Sequence, residues 1–192
     1  MFFAFLFVYN RTLPRTYTIP ADSHYSLPRR FGLARGTMFS YEFKFDDSAR
    51  YNLGDDDQWD VNKLAGFTDC FALDPQVHSA RIGWRWNLAE SPQKGVEILA
   101  YVDPGHRAQH LGFLPIGAVG HATIALADSR HYAFRFNDGS AVKMIRDCPA
   151  THHNKISGVV LYPYFGGNHF APHRLNIKMN NLLTKTMIID RE

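Results

Sequence analysis

Phe39-Ser40-Tyr41-Glu42-Phe43-Lys44-Phe45 alternates a large aromatic side chain with a polar one along its whole length. Successive side chains of a strand point to opposite faces, so this stretch predicts a strand with one face in an aromatic core and the other in water. The same period of two recurs at His131–Phe136, with Tyr132, Phe134 and Phe136 on one face, and at Arg174–Met179, with Leu175, Ile177 and Met179. Outward from these anchors, turn residues cut the chain into short pieces, and no window shows a helical apolar stripe. Further strands are predicted at Phe2–Tyr9, Arg15–Ile19, Arg29–Ala34, Ala80–Trp86, Val96–Val102 and Ala122–Leu126. Others fall at Ala141–Ile145, Gly158–Tyr164 and Thr184–Ile189. Asn137-Asp138-Gly139 is a hairpin signal, because these residues tolerate the positive φ of tight loops, and Asp128-Ser129-Arg130 is a weaker one. The acidic stretch Gly54–Lys63 reads as a loop with at most one helical turn around Trp59–Leu64.

About a dozen short strands without intervening helices predict an all-β protein, a two-sheet antiparallel β-sandwich of jelly-roll or concanavalin-like type. At 192 residues the chain fits one domain over 1–192, and 15 Phe, 9 Tyr and 3 Trp supply ample area for its core. The net charge of +3 is small and its cations are scattered, which argues against nucleic acid as a partner. The apolar start, Met1–Tyr9, lacks the basic flank and cleavage site of a signal peptide and is far shorter than the ~20 residues of a membrane span. It reads as a first strand, either buried on both faces or, within an N-terminal arm over 1–20, packing on a partner chain; for an exported product the signal has already been removed. Cys70 and Cys148 are the only cysteines, and they form either one disulfide after export or two buried thiols.

Three groups of segments carry a family resemblance. They are Tyr9-Asn10-Arg11-Thr12 with Tyr17-Thr18-Ile19-Pro20; Gly66-Phe67-Thr68-Asp69-Cys70 with Ser79-Ala80-Arg81-Ile82-Gly83-Trp84-Arg85-Trp86; and Leu161-Tyr162-Pro163-Tyr164-Phe165-Gly166-Gly167-Asn168 with Ala171-Pro172-His173. Together they resemble a family of small uncharacterised β-sandwich proteins of Bacteroidetes and their phages. The resemblance implies a concanavalin-like or jelly-roll sandwich and transfers no catalytic residue. Gln76-Val77-His78 is also similar to the Gln-x-His element of jelly-roll alginate lyases, in which a neutral His and a Tyr handle the proton α to a uronate carboxylate. The companion Arg-x-Glu-Leu-Arg strand of those enzymes is missing, and Tyr164-Phe165 matches only the start of their Tyr-Phe-Lys element.

Several constellations are candidate sites. Arg81 and Arg85 share the strand face opposite Trp84 and Trp86, where planar guanidinium groups would grip the carboxylate or sulfate of an acidic sugar, or would form an ion-paired outer face. Tyr164, Asn168, His169 and His173 surround a glycine turn that offers an exposed binding edge. Asp55, Asp57 and Asp60 place hard oxygen ligands for Ca²⁺ in one loop, without EF-hand spacing. No other cofactor is indicated. The first functional reading is a non-catalytic module that recognises a glycan or protein at the bacterial envelope or cell surface. The second is a structural subunit of a homo-oligomer or larger assembly such as a virion, and the third is a polysaccharide-active enzyme.

Overall fold

The computed structural model describes residues 14–29, 31–88, 95–148 and 154–185. Among the described residues, twelve strands fill two antiparallel sheets. The first has the order β1-β12-β3-β8-β9-β10, built from β1 (Arg15–Ile19), β12 (Leu175–Lys185), β3 (Met38–Phe45), β8 (Val119–Asp128), β9 (His131–Phe136) and β10 (Val142–Ile145). The second has the order β2-β11-β4-β5-β6-β7, built from β2 (Leu33–Gly36), β11 (Ile156–Leu161), β4 (Asn62–Thr68), β5 (Ser79–Trp86), β6 (Val96–Asp103) and β7 (Arg107–Leu114). The all-β sandwich expected from the periodicity is what forms.

The decisive stretch behaves as its pattern requires. Phe39, Tyr41, Phe43 and Phe45 are buried, and Ser40, Glu42 and Lys44 look outward. Their rings meet the second sheet across the sandwich: Phe45 lies 4.9 Å from Trp84 and Phe39 lies 5.8 Å from Phe67, centroid to centroid. The Tyr41 hydroxyl donates across the interface to the Ala65 carbonyl at 3.2 Å. Each such side chain adds roughly 1.5–3 kcal/mol of burial, so alternation along β3 alone goes far to orient the two layers.

Two strands escape the pattern rule. In β4 the register shifts between Lys63 and Ala65, and this bulge puts Leu64 and Ala65 both inside, so the segment does not alternate. The helical turn expected at Trp59–Leu64 is instead a single 3₁₀ turn, Asp56–Trp59, followed directly by that strand. β7 is a sheet edge whose first residues are exposed, so it carries no apolar face for a sequence reading to find. The arm segment 2–9 lies outside the described residues, while β1 confirms the strand expected at Arg15–Ile19. β12 runs on through Lys185, which joins the two strands expected near the C-terminus as far as the described residues extend.

Cys70 and Cys148 are bonded to each other, with Cα atoms 5.8 Å apart across 78 residues of sequence. Closing a loop of that length removes about 4 kcal/mol of chain entropy from the unfolded state. Reduction, or the Cys70→Ser/Cys148→Ser double variant, is therefore expected to lower the urea midpoint by an amount equivalent to about 3–4 kcal/mol. An unchanged midpoint under reducing conditions would show that the bridge contributes nothing.

Candidate active site

The outer face of the second sheet carries the chemistry. On β5 the inward positions are Ile82, Trp84 and Trp86, so Arg81 and Arg85 stand on the outer face, as the alternation predicts. On β6, Tyr101 lies in register with Arg81 and Asp103 with Ser79. The bulge in β4 aims Lys63 to the same side, opposite Gly83. Tyr164 forms an isolated bridge with Lys63, with backbone N–H···O bonds of 2.9 Å in both directions, so the two side chains leave the backbone on one face.

Lys63, Arg81, Tyr101, Asp103 and Tyr164 line a cleft of about 920 Å³. Lys63, Arg81, Tyr101 and Asp103 reach it from the sheet, Tyr25, Tyr164 and Asn168 from flanking loops, and Gln76 from the loop before β5. The Tyr25 and Tyr164 rings meet edge to face at 5.2 Å, and the Arg29 guanidinium lies 3.8 Å over the Tyr25 ring. Gly166 packs closely beside Lys63, since a Cβ there would fall 2.9 Å from Lys63 Nζ and 2.2 Å from the Val61 carbonyl oxygen.

Charge is organised around the Tyr101 ring. Lys63 Nζ lies 4.6 Å and the Arg81 guanidinium 5.1 Å from its centroid. Burial, reinforced by the Arg81 charge, pushes the Lys63 ammonium down from 10.5 to about 8, against the opposing pull of Asp103 and Asp60. A substantial fraction of Lys63 is thus a neutral amine in mildly alkaline solution. Burial raises the Tyr164 hydroxyl above its ordinary value and pushes Tyr101 up to about 12, so both stay protonated where Lys63 begins to lose its proton. Asp103, with a fully buried side chain, accepts from Arg81 at 2.7 Å and lies 2.8 Å from His106 Nδ1. Arg81 Nε is buried and has no hydrogen-bond partner among the described residues.

The sequence candidates are dispersed by this geometry. Arg81, Tyr164 and Asn168 come together in the cleft. Arg85 does not line it; it pairs with Glu97 at 2.6 Å and donates to the Trp59 carbonyl at 2.8 Å, which is the ion-paired alternative. His173 donates to the Ser48 carbonyl at 2.8 Å and takes no part. His169 Nε2 sits 3.1 Å from Asp55 and 3.3 Å from Asp57, so those carboxylates converge on a histidine. Asp60 does not join them; it lines the cleft, its carboxylate occupying the space a side chain at Gly167 would need. Of the Gln-x-His element, Gln76 reaches the cleft wall and His78 does not. Lys63, Tyr101, Asp103 and His106 were missed, Lys63 because its strand was read as a loop. The available signal for Tyr101 and Asp103 was the alternation of Glu97, Tyr101 and Asp103 with the apolar positions of β6; His106, in the turn after it, carried none.

No family model matches the sequence, and no curated protein matches it. Solved structures do. Alginate lyase Aly36B aligns over 86% of this chain and 77% of its own length with a TM-score of 0.60 and 13% identity. The chain shares its fold with alginate lyases. A double variant of Aly36B, with one lysine and one tyrosine changed to alanine and an alginate tetrasaccharide bound, aligns over 92% of this chain and 82% of its own (TM-score 0.62, 14% identity). Alginate lyase AlyC3 aligns over 85% and 71% (TM-score 0.56, 12% identity). These neighbours overturn the expectation of a non-catalytic recognition module, which had drawn on the outline of the sandwich alone. The outline is that of lyases, and the cleft is built from residues too far apart in sequence to register as a motif. Among the described residues no helix is long and apolar enough to cross a membrane.

Proposed function

We propose that the protein is a polysaccharide lyase that cleaves an acidic, uronate-containing glycan by β-elimination. Lys63 takes the proton α to the uronate carboxylate and Tyr164 protonates the departing glycosidic oxygen. The observation that carries this reading is an amine held at about 8 inside a cleft walled by tyrosines and backed by an arginine. The neutral Lys63 amine removes the C5 proton, and the C–H electron pair becomes the C4–C5 double bond. The C4–O bond breaks, and the leaving oxygen takes the Tyr164 hydroxyl proton. Arg81 faces the carboxylate, where negative charge builds as the proton departs, and its guanidinium supplies the balancing positive charge. Afterwards Lys63 releases its proton and the Tyr164 phenolate regains one. The tetrasaccharide-bound Aly36B variant lacks a lysine and a tyrosine, and this cleft places one of each side by side. The Cys70–Cys148 bond suits an oxidising compartment, so we place the activity outside the cytosol.

Incubation with a panel of uronate polymers should release products with the ultraviolet absorbance of a conjugated, unsaturated uronate. Depolymerisation without that absorbance, or no depolymerisation of any uronate polymer, would sink the reading. Arg81→Lys keeps a cation beside the buried Asp103 but loses the planar fork, so kcat/KM should fall by about 10–100-fold with little change in stability. An unchanged kcat/KM would remove Arg81 from the site.

A further inference from the structure

His106 stands at the tight turn between β6 and β7, with a positive φ of 51° and a side chain that is 69% exposed. Exposed histidines in turns are usually free, yet this ring is engaged on its inner edge. Its Nδ1 lies 2.8 Å from the Tyr101 hydroxyl and 2.8 Å from Asp103 Oδ1, and its backbone N–H donates to the same carboxylate oxygen at 3.2 Å. Among the described residues the Tyr101 hydroxyl makes no other hydrogen bond. The ring that this hydroxyl terminates is the surface against which both Lys63 and Arg81 rest.

We propose that His106 is a positioning residue: by holding the Tyr101 hydroxyl it pins the Tyr101 ring beside Lys63 and keeps water away from that amine. This rests on Lys63 being the proton acceptor of the proposed elimination, and it adds the device that prepares Lys63 for the task. Burial is the largest cause of the low Lys63 value, and the Tyr101 ring supplies part of that burial. The groups facing Lys63 are Arg81 from β5, Tyr101 and Asp103 from β6, Asp60 from the segment before β4 and Tyr164 from the segment after β11. A change at His106 leaves all of them in the chain; it frees the Tyr101 hydroxyl and removes one ring contact from Asp103, whose carboxylate keeps its Arg81 partner, and Tyr101→Phe cuts the ring's anchor without touching Asp103.

The test reads Lys63 directly and needs no substrate. Lysines are labelled by reductive ¹³C-methylation and the Lys63 signal, identified by its loss in Lys63→Arg, is titrated by NMR. His106→Gly keeps the positive φ and removes the anchor, and should move the Lys63 midpoint up by about one unit or more toward the solvated value. His106→Asn also tolerates the positive φ and puts an amide where Nδ1 was, so the midpoint should stay near the wild-type one. Tyr101→Phe cuts the same link from the other side and should match His106→Gly, and the double variant should shift no further than either alone. The acid limb of the kcat/KM profile should follow these midpoints, with the His106→Asn limb at its wild-type position. A His106→Gly midpoint equal to wild type, or an Asn variant shifted as far as the Gly variant, overturns the proposal. A preparation without lyase activity whose Lys63 midpoint still moves as described supports the positioning role and refutes only the elimination chemistry.

Discussion

Replacing Lys63 with methionine is expected to reduce cleavage of a uronate polymer by about 10²–10⁴-fold, the range a positioned general base contributes, while raising the thermal midpoint at neutral pH. The two effects share one origin. Lys63 is mostly buried, and its value falls from 10.5 to about 8 chiefly because the interior disfavours the charge. Below about 8 the native state holds a charge it would rather not carry, and methionine fills similar space without it. Between about 8 and 10.5 the unfolded chain binds more protons at this residue than the native one. Stability therefore rises with pH through that window in the wild type and loses this contribution to the rise in Lys63→Met. Turnover follows the same ionisation in the useful direction, since only the free amine accepts a proton. It should climb as pH passes about 8 and decline when the tyrosine donor ionises at higher pH. Parallel pH–rate and pH–melting profiles check both halves. A Lys63→Met protein that retains wild-type turnover would exclude Lys63 as the base.

The largest loss of stability is expected from Asp69→Ala, at about 3–5 kcal/mol, because it strands a buried cation. Asp69 lies at the end of β4, and its side chain is fully buried, as is that of Arg146. One carboxylate oxygen accepts from Arg146 Nε at 2.8 Å and from the Tyr132 hydroxyl at 2.6 Å. The other accepts the backbone N–H groups of Cys70 at 2.7 Å and Ser157 at 2.9 Å. Tyr132 belongs to the first sheet and Asp69 directly follows β4 of the second, so this group ties the layers together beside the disulfide. Burial and the Asp69 charge together push the Tyr132 hydroxyl well above its ordinary value, which keeps it a donor. Removing the carboxylate leaves the guanidinium without its counter-ion and orphans several donors at once. Asp69→Leu combined with Arg146→Met should recover much of the loss, because neither charge then remains buried. Urea denaturation of the three proteins measures this. A single variant within about 1 kcal/mol of wild type, the worth of one ordinary hydrogen bond, would show that the network is not a structural tie.

Much of the architecture was legible because β3 and β9 each bury one face, as does β12 over Leu175–Met179, and burial on one face writes itself into the sequence as alternation. The failures are equally physical. A bulge in β4 breaks the period, and the exposed edge strand β7 has no apolar side to display. For the cleft, sequence reading placed Arg81 on the correct face and picked out Tyr164 and Asn168 as polar or aromatic groups near a glycine turn. It also chose Arg85, His169 and His173, which find other partners: Glu97, Asp55 and the Ser48 carbonyl respectively. Nothing in the residue types distinguishes these two sets. What separates them is which partner the fold brings near, and those partners lie tens of residues away.

Sequence by itself determined the all-β class, the aromatic core and the outward face of β5, since these depend on nearest-neighbour periodicity and the exclusion of apolar surface from water. Tertiary structure alone decided that Lys63, Arg81, Tyr101 and Tyr164 share one cleft and that the two cysteines meet. The pairing of strands sets distances between residues remote in the chain. The field and burial that prepare Lys63 exist only once those strands have closed around it.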